Sequence, residues 1–480
     1  MDTRYEAKLA GQFNGRNLDY VFALDMLPVR DNGGVLVGSM SVFSYVADVA
    51  AGEEASRPVV FCFNGGPGSA SAFLHMGGIG PKRVSLPADL TSGVLPPYPL
   101  EDSVDCLLDV ADLVFMDPVN TGYGRSLPDA ETDDCYSIEG DARCFAESLQ
   151  AWIERTGRFD SPKFLLGESY GTHRAPFMAS ALMEMQSVPL TGIVLLGQAL
   201  NVQETSDRPW NVTGAIASLP YMVATARFHD KASRQFESVY EAVEEAVTFG
   251  HGEYALALHA GNRLSSVDSR HVAERLEEMT GIPAEYYLKN RLRIRKEEFR
   301  KELLKESGLV LGRNDSRYVL RAADRLAAEL DFDPSSSYLM PAFNAGMARH
   351  LREALGLDGT QEKYRLADQT ASQRWEWGEA GSTGFMLMGK PSPFQVYPYP
   401  ARLTRFLKQV PDARVFIGTG LYDSLTTVGA VEHLLRQCDL PAERITTGRY
   451  PAGHMMYTDP ESSQMLTSDL RTFVRGTGDN

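Results

Sequence analysis

Residues Lys163 to Gly171 read KFLLGESYG, and no other stretch restricts the fold as tightly. Phe164-Leu165-Leu166 has the length and character of a short buried strand. It runs directly into Gly-x-Ser-x-Gly, with Ser169 at the centre. Gly167 and Gly171 lack the Cβ that would obstruct a sharp reversal. The pattern predicts a strand, a tight turn and a helix, with the Ser169 hydroxyl pushed into the open. A serine is a weak nucleophile until a base takes its proton. A base, and a group that orients it, are therefore expected further along the chain.

The flanking sequence supplies the sheet that such a turn needs. Val35–Val46 alternates like a hairpin strand. Pro58–Phe63, Ala111–Met116 and Gly192–Gly197 are apolar runs of strand length, and Ile138–Arg155 and the segment from the turn through Met183 read as helices. Strands alternating with helices predict an α/β protein with a mostly parallel central sheet flanked by helices. The character changes between about 205 and 385. A helix carrying Phe236, Val239, Tyr240, Val243 and Val247 is expected to end at Gly250, another spans Asp268–Thr280 before Gly281, and a third spans Ala284–Ser307. Arg291, Arg293, Arg295 and Lys296 interleave there with Glu297, Glu298, Glu302 and Glu306, as on a solvated helix with i,i+4 pairs. Strand-helix alternation resumes near 395 with Arg414–Ile417, a helix Val428–Arg436 and Arg444–Thr447. The expected division is a core of 1–204 and 386–480 with a helical lid insertion at 205–385, shaping the entrance to the site.

Where an acid and a histidine follow a serine of this type, they belong in loops after the last strands. Asp423 lies just past the carboxyl end of the Arg414 strand, where open sheets place their sites. His454 follows the next strand. Ser169 would attack a carbonyl, His454 would take and return its proton, and Asp423 would hold the imidazole in the useful tautomer. Asp412 and Asp439 are the nearby alternatives to Asp423, but each reads as a surface residue. His173 reads as a structural hydrogen-bonding residue, and His75 is a candidate for lining the cleft. A glycine-rich turn, Asn64-Gly65-Gly66-Pro67-Gly68, follows the Pro58 strand. Its bare backbone predicts an oxyanion hole made by the N–H groups of Gly66 and Tyr170, with Gly65, Gly167 and Gly171 as supporting turn residues.

Composition narrows the partners. The 480 residues carry 63 acids against 47 bases, a formal charge of -16. That balance argues against nucleic acid or an anionic membrane as partner. No run approaches the ~20 apolar residues of a membrane span, and the N-terminal segment has no apolar core of the secretory kind. The five cysteines have no close metal-type spacing, so a reduced, cytoplasmic protein with buried or free thiols is expected. No metal or organic cofactor is implied.

Taken together, Asn64-Gly65-Gly66-Pro67-Gly68, Asp117-Pro118-Val119 with Thr121-Gly122-Tyr123, Gly167-Glu168-Ser169-Tyr170-Gly171-Thr172 and Gly453-His454-Met455 resemble the serine carboxypeptidases, the S10 peptidase family. Leu219-Pro220-Tyr221 through Ala226 and His229, with Met456-Tyr457, look like its bacterial branch. The resemblance implies an α/β-hydrolase fold and removal of C-terminal residues from peptides. It also implies that Asn64 and Glu168 bind the substrate's terminal carboxylate, which requires Glu168 to be protonated because two adjacent carboxylates repel. Two departures stand out. Gly78 occupies the position where many members carry a second glutamate, and the disulfide framework of secreted members is missing. An esterase or acyltransferase on the same triad is the alternative enzyme, and a non-catalytic peptide-binding protein the alternative of another class.

Overall fold

In the computed structural model, residues 3–50, 52–86, 90, 95–321, 333–357, 363–378, 386–387, 390–391 and 399–476 are described. The expected boundary at 385/386 falls partly on residues outside that set. The main sheet has nine strands: β1 Arg4–Phe13, β2 Arg16–Arg30, β3 Leu36–Ala47, β4 Val59–Phe63, β5 Asp112–Asp117, β6 Lys163–Glu168, β7 Gly192–Leu196, β8 Arg414–Gly420 and β9 Ile445–Tyr450. Their spatial order is β1-β2-β3-β5-β4-β6-β7-β8-β9. β1 to β3 and the β3–β5 pair are antiparallel, and the rest is parallel. β4 to β7 are buried throughout, as strands covered on both faces must be, and this is why they read as continuous apolar runs. β4 has β5 on one side and β6 on the other, so chain direction across the sheet reverses there. The crevice outside the carboxyl ends of strands at such a switch point is where open α/β sheets bind ligands.

Alternate side chains of the central strands feed two cores. Phe61, Leu165, Ile193 and Leu195 pack with the helices Ile138–Thr156, Gly171–Gln186 and Tyr399–Gln409 on one face. Val60, Phe164, Leu166 and Val194 pack with the helices Pro334–Leu355 and Pro460–Arg475 on the other. The Ile138 helix starts where Ser137 Oγ accepts from Gly140 N at 3.1 Å and stops at left-handed Gly157, the usual polar start and glycine stop. Most helices between β7 and β8 share a separate core built on Leu219, Tyr221, Phe249, Leu276, Tyr287 and Phe299. The helix Pro334–Leu355 lies in the same sequence block, but Leu339, Phe343, Met347 and Leu351 belong to the core of the main sheet.

Two helix expectations in this block need correction. Gly250 is right-handed helical, and the helix Val239–Phe249 passes through it into a wide turn, with the break at Gly252. Nothing about a glycine forces a stop when tertiary contacts hold the backbone helical. The segment Ala284–Ser307 is not one helix. It forms Ala284–Lys289 and Lys296–Glu302, separated by Arg291 and Leu292 at φ 55° and 62°. The carboxylates consequently pair elsewhere: Glu297 with Arg300 and Arg313, and Glu302 with Lys305. Among the described residues, no helix is long and apolar enough to cross a membrane.

Candidate active site

Ser169 follows the last residue of β6 and has φ 58°. A left-handed serine is strained, and such strain persists only where surrounding bonds over-determine it. Ser169 N donates to Leu196 O at 2.9 Å, and Ser169 O accepts from Thr172 N at 2.9 Å and Thr172 Oγ1 at 2.6 Å. The glycines are there for space. A Cβ on Gly167 would stand 2.2 Å from Gly171 O, and one on Gly65 would stand 2.4 Å from Tyr170 N and 2.7 Å from Glu168 O. The glycine-rich turn after β4 is therefore pressed against the serine turn after β6. Buried Arg174 fixes this pairing. It donates to Asn64 O at 2.7 Å and to Asp141 Oδ2 at 2.7 Å, and Asp141 also accepts from Tyr170 Oη at 3.1 Å. A Gly65→Ala substitution is expected to displace the Tyr170 N–H and lower kcat by about 10²-fold. Fluorophosphonate labelling of Ser169 checks this, because its rate should fall in step.

His454 and Asp423 meet at the ends of β9 and β8. His454 Nδ1 lies 2.7 Å from Asp423 Oδ2, both buried. The other Asp423 contacts come from Leu425 N at 2.7 Å, Thr426 N at 3.2 Å and Thr426 Oγ1 at 2.5 Å. Burial raises the Asp423 carboxyl, but the His454 charge and these hydrogen bonds outweigh it and hold it below the usual carboxylate range. Burial lowers the His454 imidazole. The Asp423 charge and hydrogen bond, with a further contribution from Glu168, reverse that and push it up to about 9. Asp412 and Asp439 are both exposed.

The inserted block holds both loops. Asn314 O accepts from His454 N at 2.6 Å, and Arg313 O accepts from Ser424 Oγ at 2.7 Å. Lys296 Nζ donates to Ser424 O at 2.6 Å, and Arg317 donates to Pro451 O at 2.9 Å. Sequence reading missed these contacts, because a backbone carbonyl leaves no residue-type signal. It also missed Thr426 and Gly197. A Cβ on Gly197 would stand 3.0 Å from His454 Cε1, so glycine leaves room for the imidazole.

Asn64 and Glu168 are buried together. Asn64 Nδ2 donates to Glu168 Oε1 at 2.8 Å, and Asn64 Oδ1 accepts from Leu74 N at 3.0 Å. Burial drives the Glu168 carboxyl up to about 7, against the lowering effect of His454, Tyr457 and Asn64. The Tyr457 hydroxyl faces this carboxyl and the Asn64 amide.

His75 does not line the cleft. It is fully buried, stacked on Phe115 with ring centroids 4.2 Å apart, and bonded through Nε2 to Tyr45 Oη. His173 is structural, but by packing. Neither ring nitrogen has a hydrogen-bond partner among the described residues, and the ring sits edge-on to Tyr399 at 4.6 Å. Burial among these aromatic rings holds it down to about 4. The described cysteines are all free thiols.

A serine on a strained turn after a parallel strand, with a histidine–aspartate pair from the last two strands, defines the α/β-hydrolase class. A solved structure agrees at the level of fold: the prohormone-processing carboxypeptidase Kex1(Δ)p of Saccharomyces cerevisiae superposes with a TM-score of 0.54 and 13% identity, over 93% of this chain and 90% of that one. The serine carboxypeptidase family model matches residues 38–273, just under half of the chain. It is 29% identical over 141 residues to the pheromone-processing carboxypeptidase KEX1 of Cryptococcus gattii, covering 28% of this chain and 20% of that protein. It is 31% identical over 135 residues to serine carboxypeptidase-like 29 of Arabidopsis thaliana, covering 27% and 26%. The matched stretch thus spans about a quarter or less of these curated relatives.

Proposed function

We propose that the protein removes C-terminal residues from peptides as a serine carboxypeptidase, through an acyl-enzyme on Ser169. The observation that carries this reading is the buried Asn64–Glu168 pair, in which Glu168 lies one residue before Ser169 and within electrostatic reach of His454. A buried carboxyl beside a catalytic base is costly unless it has a task, and a protonated one donates a hydrogen bond to an anion. Ser169 Oγ attacks the last peptide carbonyl while His454 takes its proton. The N–H groups of Gly66 and Tyr170 receive the oxyanion. His454 then protonates the departing amine and activates the water that releases the acyl group. Asn64 and Glu168 hold the terminal carboxylate, which sets the scissile bond one residue from the end. The helices between β7 and β8, tied to the Asp423 and His454 loops, border the substrate entrance.

The pH dependence follows from the two shifted groups. Glu168 is protonated below pH about 7. Above that it ionises and repels the substrate carboxylate, so kcat/KM for a peptide acid falls as pH rises. Glu168→Gln donates without titrating, so this alkaline limb disappears. Glu168 also contributes to the raised imidazole, so the same variant lets His454 act as a base at lower pH. The direct test compares an N-blocked dipeptide with its C-terminal amide. The acid is expected to be preferred by about 2–3 kcal/mol in kcat/KM, the range for hydrogen bonds to a charged group. An amide cleaved as fast as the acid, with Glu168→Gln changing nothing, replaces this reading by an esterase or acyltransferase.

A further inference from the structure

Two buried polar atoms have no hydrogen-bond partner of good geometry among the described residues: Glu168 Oε2 and Tyr457 Oη. Glu168 is 4% exposed and Tyr457 is 3% exposed. Buried polar groups are nearly always paired, and an orphaned pair that faces the same point asks what fills it. The Tyr457 hydroxyl faces both the Glu168 carboxyl and the Asn64 amide. Gly77 leaves room for the ring. A Cβ on Gly77 would stand 2.2 Å from Tyr457 Cδ2, while Gly78, at φ 126°, directs its missing Cβ toward Ser463 and Ser103 instead. Tyr457 lies in the short turn Met456–Thr458, three residues beyond His454, so one loop carries both the base and this hydroxyl. The loop is anchored by Arg317, which bonds Pro451 O at 2.9 Å and Asp459 Oδ2 at 3.0 Å. A phenol that only filled core space would need no oxygen.

We propose that Tyr457 is a specificity-determining residue whose hydroxyl, together with Asn64 Nδ2 and the Glu168 carboxyl, donates a hydrogen bond to the terminal carboxylate of the peptide. This rests on the carboxypeptidase reading above. The arrangement gives the anion three donors from three separate elements: the turn after β4, the end of β6 and the loop after β9. Burial keeps the phenol protonated far above its ordinary range, so it remains a donor when Glu168 ionises.

The test measures kcat/KM for the N-blocked dipeptide and its C-terminal amide with the wild-type protein and with Tyr457→Phe. The variant keeps the ring and removes one oxygen. The acid-over-amide preference is expected to fall about tenfold or more, as for a lost hydrogen bond to a charged group, with the loss falling on the acid. Fluorophosphonate labelling of Ser169 in the same sample, at a rate within about twofold of wild type, shows that the site is assembled. Competitive inhibition by the released free amino acid gives a second readout and should weaken by a similar factor. An unchanged preference, or equal losses on acid and amide with labelling intact, overturns the role of Tyr457 and leaves the carboxypeptidase reading standing. A wild-type protein with no preference for the acid overturns both.

Discussion

In Ser169→Ala, kcat for peptide hydrolysis is expected to fall by roughly 10⁵- to 10⁶-fold, the loss seen when one member of a triad acting as a unit is removed. The size follows from the division of labour in the site. The strained turn at φ 58° presents a hydroxyl for which no neighbouring side chain can substitute, because Tyr170 and Glu168 on either side are buried and aimed elsewhere. What survives is stabilisation by the backbone donors and by substrate binding. The double variant Ser169→Ala, His454→Ala should then be hardly slower than either single variant. Single-turnover and steady-state rates of all three proteins check this. Losses that multiply would show that His454 does not serve Ser169.

Asp423→Asn is expected to lower kcat by about 10⁴-fold. Asp423 accepts from His454 Nδ1 at 2.7 Å and from three groups in Leu425 and Thr426. An amide in its place loses the charge and turns a donor toward Nδ1 or the Thr426 hydroxyl, which favours the wrong imidazole tautomer. The pH profile should change with a definite sign. The Asp423 charge and hydrogen bond oppose burial to raise His454 to about 9, so removing them lowers the pH at which His454 loses its proton. The acid limb of any residual activity moves down accordingly. Asp412→Asn, in an exposed turn before β8, should leave both rate and profile unchanged. The opposite pattern would make Asp412 the orienting acid.

The parts of this molecule that could be read from the sequence are those set by local chemistry. The strand Lys163–Glu168 and its turn were legible because an apolar run followed by two spaced glycines has few other uses. β4, β5 and β7 were legible because a strand buried on both faces must be apolar at every position. Asp423 and His454 were singled out by their places after strands, and the structure sets them 2.7 Å apart. Helix ends in the block between β7 and β8 were less legible. Gly250 carries a stop signal that tertiary packing overrides, and the break at Arg291 and Leu292 carries no glycine or proline to announce it. The contact of Asn314 O with His454 N joins residues 140 apart in sequence through the backbone alone, so nothing in either side chain marks it. Tyr457 stood within the GHMMY run, but its relation to Glu168 depends on the space left by Gly77, which only the folded chain reveals.

The measurement that bears most directly on the central claim is mass spectrometry of an N-blocked peptide of several residues during incubation with the protein. The account predicts loss of single residues from the C-terminal end, in sequence, with the N-terminal fragments intact. It also predicts no loss with Ser169→Ala. Cleavage at internal bonds, or C-terminal trimming that persists in Ser169→Ala, would contradict it.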